Sequence, residues 1–297
     1  MICKICNLET FEAGHFWKDH RIKQTDYYAK HEPKFDLLTQ ELITFKSEEQ
    51  YFLADFVDKN HLKKFLAMKN KEDGIIYLIN KVKQYCELKK IEYIPGQTEL
   101  RTISCLPIVD TFEFFGEDSF EKVCEEFQLK TKYNYSCPPL EIRKITKIIR
   151  DTREQFFIEF PELSEKIECL KFGDYSESQK SKVVVERKSA TDFRGSISKD
   201  FERFKREIQR AKAAKAYIVI LVESGLNNAI YAKTRFEKVS GDFIGHRLRE
   251  ICREFDNCQF LFSGSREESK RLIKKILSIG ECIKNYDLQY FLDKGEF

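Results

Sequence analysis

The densest concentration of reactive side chains lies between residues 173 and 192. It runs Gly173-Asp174-Tyr175, a polar stretch, then Val183-Val184-Val185-Glu186-Arg187-Lys188-Ser189-Ala190-Thr191-Asp192. Three consecutive valines favour a strand. The period-2 geometry of a strand puts Glu186 and Lys188 on one face. A neighbouring strand could add the carboxylate of Asp174. Two acids beside a base suit metal-assisted phosphodiester hydrolysis, in which hard oxygens hold Mg2+ or Mn2+ and the cation handles the attacking water or the phosphate charge. Each piece also has a plainer reading. Glu-Arg-Lys can be a solvated strand end, Gly-Asp a turn, and Asp192 a helix N-cap.

A second group of ligand types opens the chain. Cys3-x2-Cys6-x8-His15-x4-His20 offers two thiolates and two imidazoles within twenty residues, the set that closes a tetrahedral structural Zn2+ site. The plainer alternative is free thiols and surface histidines. His31 is an alternate ligand at a poorer spacing.

Elements must position the 173–192 group. Residues 145–150 form a short apolar-rich strand candidate that runs into Asp151-Thr152-Arg153-Glu154. Residues 193–215 predict one long amphipathic helix, with Phe193, Ile197, Phe201, Phe204, Ile208 and Ala211 spaced at three and four. Tyr217–Val222 is a fully apolar run, the pattern of a buried strand in an α/β core. Ser265-Arg266-Glu267-Glu268 predicts a capping box opening a last helix to about Leu277. Pro138-Pro139 is the best domain boundary, stiff and extended.

In order, Asp151-Thr152-Arg153-Glu154, Gly173-Asp174, Glu186-Arg187-Lys188 and Asp192 resemble the signature of XPF-type nucleases, a branch of the PD-(D/E)XK class. Ser196, Arg203 and Phe204 keep the flavour of the following helix. The resemblance covers about residues 140–280. It implies a central mixed sheet flanked by helices. It implies Asp174 and Glu186 as metal ligands and Lys188 as the group that polarises the attacking water. Asp151, Arg187 and Asp192 would complete the site, while Arg153 and Glu154 would be structural or phosphate-positioning. Cleavage would leave 5′-phosphate and 3′-hydroxyl ends. The family often carries a tandem helix-hairpin-helix module after this domain. No such module fits in the twenty or so residues after 277, so junction specificity and heterodimer partnership are not carried over.

The amino-terminal segment, with Tyr27-Tyr28 after His20, resembles the small fingers of phage homing endonucleases. Residues 107–129, with Phe112, Phe114, Phe115, Gly116 and Leu129, resemble the homing-endonuclease-associated repeat, a helical DNA-binding unit. Gln128 stands where that repeat often has Gly. Residues 47–66 read as a helical, aromatic spacer with basic punctuation.

Composition sets the outer limits. A chain of 297 residues with 42% hydrophobic content is enough for two or more domains. A net charge of +3 argues only weakly for nucleic acid. The basic excess is local, in residues 194–215. Of ten cysteines two belong to the finger, and the other eight, without a signal peptide or long apolar span, read as buried reduced thiols in an intracellular protein, in phage-infected or host bacterial cytoplasm. The expected organisation is a zinc finger (1–32), a helical spacer (33–89), a helical DNA-binding repeat (90–137) and an α/β nuclease domain (138–297). The expected function is a Mg2+-dependent DNA endonuclease acting on double-stranded DNA, of the site-specific homing type. The alternatives are a structure-specific flap or fork nuclease and a non-catalytic DNA-binding regulator. One catalytic centre cuts one strand, so double-strand cleavage would take a homodimer or two successive nicks.

Overall fold

The computed structural model describes residues 2–9, 14–33, 89–103, 129–231 and 239–297, with isolated positions at 42, 44, 79, 82–83, 85–87 and 124–125. Most of the expected spacer, and residues 104–123 and 126–128 of the expected helical repeat, lie outside the described residues. The chain divides into two compact units, one of residues 1–94 and 103–130, the other of residues 95–102 and 131–297.

In the first unit, α1 (His15–His20) and α2 (Gln24–His31) pack around Cys3, Phe16, Tyr27 and Tyr28, all buried. Phe16 stacks on Tyr27 with ring centroids 4.1 Å apart. The Tyr27 hydroxyl accepts a 2.7 Å hydrogen bond from the Lys4 backbone N–H, tying the helix to the cysteine turn. The Tyr-Tyr pair is thus the core of this segment.

The second unit is built on a six-stranded mixed sheet of order β2-β1-β3-β4-β5-β6. The strands are β1 (Lys147–Asp151), β2 (Ser164–Glu168), β3 (Tyr175–Ser176), β4 (Val183–Lys188), β5 (Tyr217–Val222) and β6 (Cys258–Phe262). β1 and β2 are parallel, β3 is antiparallel to both β1 and β4, and β4, β5 and β6 are parallel. Parallel strands need crossovers. These are supplied by α4 (Ala190–Ile197) and α5 (Phe201–Ala213) between β4 and β5, and by α6 (Leu226–Tyr231) and α7 (Gly241–Glu254) between β5 and β6. Val184, Ile218, Ile220, Phe260 and Phe262 of the sheet pack with Phe193, Phe204, Ile244 and Leu248 of these helices in one buried core. α8 (Arg266–Ile279) is capped as expected, with Ser265 Oγ accepting from the Glu268 N–H at 3.1 Å.

Two expectations are corrected here. The single helix over 193–215 is two helices. The Ser198 hydroxyl donates to the Arg194 carbonyl at 2.6 Å and the Asp200 N–H turns back to Gly195, which ends α4 and lets α5 start afresh. The apolar spacing survives the break because Phe201 returns to the same core. α5 closes in a Schellman motif, with Ala216 N–H on the Ala211 carbonyl, Lys215 N–H on the Lys212 carbonyl, and Lys215 at φ 58°.

The edge of the unit is also not at Pro138-Pro139. Residues 95–102 and 131–137, assigned from sequence to the helical repeat, belong to the compact unit that holds the sheet. They are held by polar contacts to its far end. The N–H of Gln97, at the start of α3 (Gln97–Leu100), and the Tyr135 hydroxyl donate to Asp287 at 2.6 and 3.2 Å. Asp287 caps α9 (Leu288–Asp293) and is fully enclosed; burial pushes its carboxyl above the usual range. Arg249 donates to the Thr102 carbonyl at 3.0 Å. Buried polar groups left without such partners are costly.

All nine described cysteines are free thiols. The expectation that they are buried holds for Cys124 and Cys258, whereas Cys137, Cys169 and Cys282 are exposed. Among the described residues no helix is long and apolar enough to cross a membrane.

Candidate functional site

β4 does what its sequence pattern asks. Val184, Glu186 and Lys188 share one face; Val184 enters the core, and Glu186 and Lys188 line a cleft of about 210 Å3 with Asp174 and Asp151. Asp174 reaches the cleft because of Gly173. That glycine sits at φ 66°, and a Cβ there would come within 2.9 Å of the Val185 carbonyl oxygen, so only glycine fits the turn. Asp174 is then clamped to β4 by its own N–H on the Val185 carbonyl and by the Arg187 N–H on its Oδ2, both at 2.8 Å. Its Oδ1 has no hydrogen-bond partner among the described residues.

The electrostatics of the cleft are unbalanced. Burial first, then the charges of Glu186 and Glu154, push the Asp174 carboxyl up to about 8. Lys188 answers only part of this. Its Nζ lies 3.0 Å from Glu186 Oε1 and 5.0 Å from the centre of the Phe204 ring. Two carboxylates that repel one another beside an open oxygen are the donor chemistry of a divalent hard cation, so the residues present fit the Mg2+ or Mn2+ that the sequence implies.

The other expected members divide. Asp151 lines the cleft, but its carboxylate is occupied by the Arg153 N–H and guanidinium and by the Leu170 N–H, at 2.6–3.0 Å. Burial alone would raise this carboxyl, and these donors outweigh burial and hold it below the usual range. Arg187 does not face the cleft. Its guanidinium is buried between Glu154 and Glu223, at 2.8 Å from each. The period-2 rule that puts Glu186 and Lys188 in the cleft puts Arg187 on the other face. Asp192 is exposed on the first turn of α4 and is not part of the cleft lining. Ser189 is the N-cap; its hydroxyl accepts from the Asp192 N–H and donates to Asp192 Oδ2, a reciprocal capping pair. The expected roles of Arg187 and Asp192 as site members are therefore corrected to a buried ion-pair centre and a helix cap.

The sequence reading named Arg203 and the basic excess of residues 194–215, but not Glu207, Lys171 or a far wall of this cleft. Arg203, Glu207 and Arg210 of α5, and Lys171 before Gly173, complete the lining. The signal was present in the spacing of 203, 207 and 210, which puts them on one helical face.

The second cluster lies in the amino-terminal unit. One ligand atom from each of Cys3, Cys6, His15 and His20 falls within 4.8 Å of the others, so the group could hold a metal ion. Cys3 Sγ is 3.5 Å from His20 Nε2, Cys6 Sγ 3.5 Å from His15 Nε2, and the two Nε2 atoms are 3.2 Å apart. His15 Nδ1 donates to Asp19 at 2.6 Å, which leaves Nε2 for the cluster. Burial works to raise the Cys3 thiol, but the Cys6 and Ile5 backbone N–H groups, with His15, bring it down to about 6. His31 stays outside the cluster, its ring 4.8 Å from that of Tyr27.

Residues 140–276 match the family model of the ERCC4 domain, the XPF-like nuclease domain. Among solved structures, XPF from Aeropyrum pernix is similar at 16% identity and a TM-score of 0.35, covering 46% of this chain and 68% of that one. XPF from the same organism in complex with DNA is similar at 17% identity and a TM-score of 0.35, covering 44% of this chain and 63% of that one, less than two thirds of its length. No curated protein matches the chain.

Proposed function

We propose that this protein is a metal-dependent DNA endonuclease whose cleavage centre is Asp174, Glu186 and Lys188. The observation that carries this is the pairing of Asp174 with Glu186 in one cleft, under a burial that pushes the Asp174 carboxyl up to about 8. The match of residues 140–276 to the ERCC4 domain supports it. Asp174 and Glu186 would hold Mg2+ or Mn2+, and when bound the ion would offset phosphate charge and acidify water. The chain's own groups do the rest. The Arg187 N–H fixes the Asp174 carboxylate, Lys188 presents a cation to the reacting phosphate, and Arg203 and Arg210 meet flanking phosphates.

The amino-terminal cluster is read as a structural Zn2+ site. A tetrahedral ion with bonds of about 2.3 Å to sulfur and about 2.05 Å to nitrogen would set S–N edges of about 3.5 Å and an N–N edge of about 3.3 Å. The distances of 3.5, 3.5 and 3.2 Å between these ligand atoms agree with those edges.

The test is cleavage of a supercoiled plasmid with Mg2+, Mn2+ or EDTA present. Metal-dependent nicking is expected, and a pure wild-type chain inert in all conditions rules the reading out. A substrate panel then separates the finer readings. Cutting one sequence within long duplex DNA identifies a site-specific homing enzyme, the reading favoured by the formed Cys2His2 cluster. Cutting flaps or forks regardless of sequence identifies the structure-specific class, the reading favoured by the ERCC4 match.

A further inference from the structure

The cleft does not end at its carboxylates. Lys171 and Phe172 line both it and a second depression of about 130 Å3, walled on one side by the turn that joins β3 to β4. The charge pattern changes on crossing from one to the other. The catalytic cleft is lined by both signs, with Asp151, Asp174, Glu186 and Glu207 set against its cations. The second depression is lined by Lys171, Lys180 and Lys182 and by no carboxylate.

These lysines are not held by the protein. All three are exposed. Neither Lys171 nor Lys180 makes a hydrogen bond or ion pair among the described residues, and Lys182 Nζ reaches only the Ala214 carbonyl, at 3.4 Å. Two nearby acids are engaged elsewhere. Glu168 accepts from Gln179 at 2.9 Å, and Glu177 pairs with Arg143. The depression continues through Lys180 and Lys182 into a third groove of about 370 Å3, where Arg143, Glu177 and Glu281 also line the wall. Elsewhere in this unit Lys205, Lys212, Lys274 and Arg271 each sit beside a carboxylate. A row of unpaired ammonium groups leading out of a cleft repels itself unless an anion lies along it.

We propose that Lys171, Lys180 and Lys182 form a phosphate track that seats the backbone of the nucleic-acid strand next to the phosphate to be cut. This rests on the nuclease reading of the cleft. The shared Lys171 makes the track continuous with the cleavage centre, so one strand can occupy both. The open shape and mobile point charges suit successive phosphates bound by counterion release, rather than one small anion held by buried donors.

The experiment uses the full chain and its Lys180→Ala/Lys182→Ala variant. Binding to a fluorescein-labelled duplex, and to the single strand of the same sequence, is titrated without divalent ions across a range of salt concentrations. The variant is expected to bind about tenfold more weakly at low salt. Its log Kd against log salt should be shallower by about 1–2, since each lost phosphate contact removes roughly 0.9 on duplex or roughly 0.7 on single strand. With Mg2+ the loss should fall on KM rather than kcat, and Lys180→Arg/Lys182→Arg should restore both slope and KM. If wild type binds and cleaves while the Ala variant keeps its slope and KM, the track is wrong and the nuclease reading stands. If the Arg variant behaves like the Ala variant, the effect is packing rather than charge and the track is again overturned. If wild type shows no salt-dependent binding to either probe and no cleavage, both readings fall together.

Discussion

At the amino-terminal cluster four Cys and His ligands converge on one point, and among the described residues Cys3, Phe16, Tyr27 and Tyr28 are buried beneath them. At the carboxylate cleft Asp174 keeps one oxygen open beside Glu186, whose Oε1 meets Lys188, and the core beneath them spans a six-stranded sheet and its helices. On the zinc reading an ion would hold the first arrangement together, so that binding and local order would be coupled. The second is ordered without an ion and is left electrostatically unsatisfied, with a carboxyl pushed up to about 8. A closed ligand set contributes to folding, whereas an open one leaves charge and space for a substrate. The comparison can be broken at either end.

The largest effect is expected at the closed site. Cys3→Ser/Cys6→Ser should lose stoichiometric zinc, read by elemental analysis, and with it the protected amides of residues 2–33, read by hydrogen exchange. Apparent zinc energies of about 10 kcal/mol or more in small zinc domains make this close to all-or-none. The cleavage centre should keep its kcat at saturating DNA. Stoichiometric zinc surviving in the double variant rules the ligand set out.

At the open site the expected loss is catalytic. Glu186→Gln and Asp174→Asn should each lower kcat by about a thousandfold or more, equivalent to about 4 kcal/mol, with DNA affinity nearly unchanged. Lys188→Ala should lose about a hundredfold and keep its metal binding. Turnover near wild type in either carboxylate variant would remove the site assignment.

Arg187 sharpens the contrast because it stands between Glu186 and Lys188 in sequence and on the opposite face of the strand. Its charge is buried between Glu154 and Glu223. Arg187→Ala strands Glu154, while Glu223 keeps Arg266, and should cost about 3 kcal/mol of stability. Urea unfolding measures it. An unfolding midpoint equal to that of wild type would return Arg187 to the list of site groups.

These cases also show what was legible in the sequence. β5 was readable because a six-residue apolar run bounded by polar residues has few other uses, and it is buried throughout. The Glu186/Lys188 face followed from strand periodicity, and the same rule, applied to Arg187, would have taken it out of the cleft. The break at Ser198 was hidden because the apolar spacing continues across it. Lys171, before β3, and Lys180 and Lys182, of the β3–β4 turn, were invisible as a group, since the two segments meet only through the fold. The place of residues 95–102 in the larger unit was also out of reach. It depends on Asp287, Asp293 and Arg249, all more than 140 residues away in sequence, and no local pattern reports such partners. A fragment beginning at Pro139 would leave Asp287 without the Gln97 and Tyr135 donors, so an independently folding piece must include residues from 95 onward.

The smallest effect has the opposite sign to the rest. Asp174→Asn removes the carboxylate that Glu186 and burial disfavour, while an amide oxygen can still accept from the Arg187 N–H. Without divalent ions, the inactive variant should therefore be as stable as wild type or more so. Relief of one pKa unit corresponds to about 1.4 kcal/mol, and a gain of about 1 kcal/mol would raise Tm by about 2–4 °C in a domain of this size. Saturating Mg2+ should reverse the order, because the ion stabilises only the chain that can bind it. Differential scanning calorimetry of both proteins, with EDTA and with Mg2+, reads the crossing. The amino-terminal cluster offers no such crossing, since every ligand it loses should cost stability with or without Mg2+. If Asp174→Asn is clearly less stable than wild type in EDTA, Asp174 is a structural carboxylate satisfied by its surroundings. The open site would then resemble the closed one, and the contrast between them would fail.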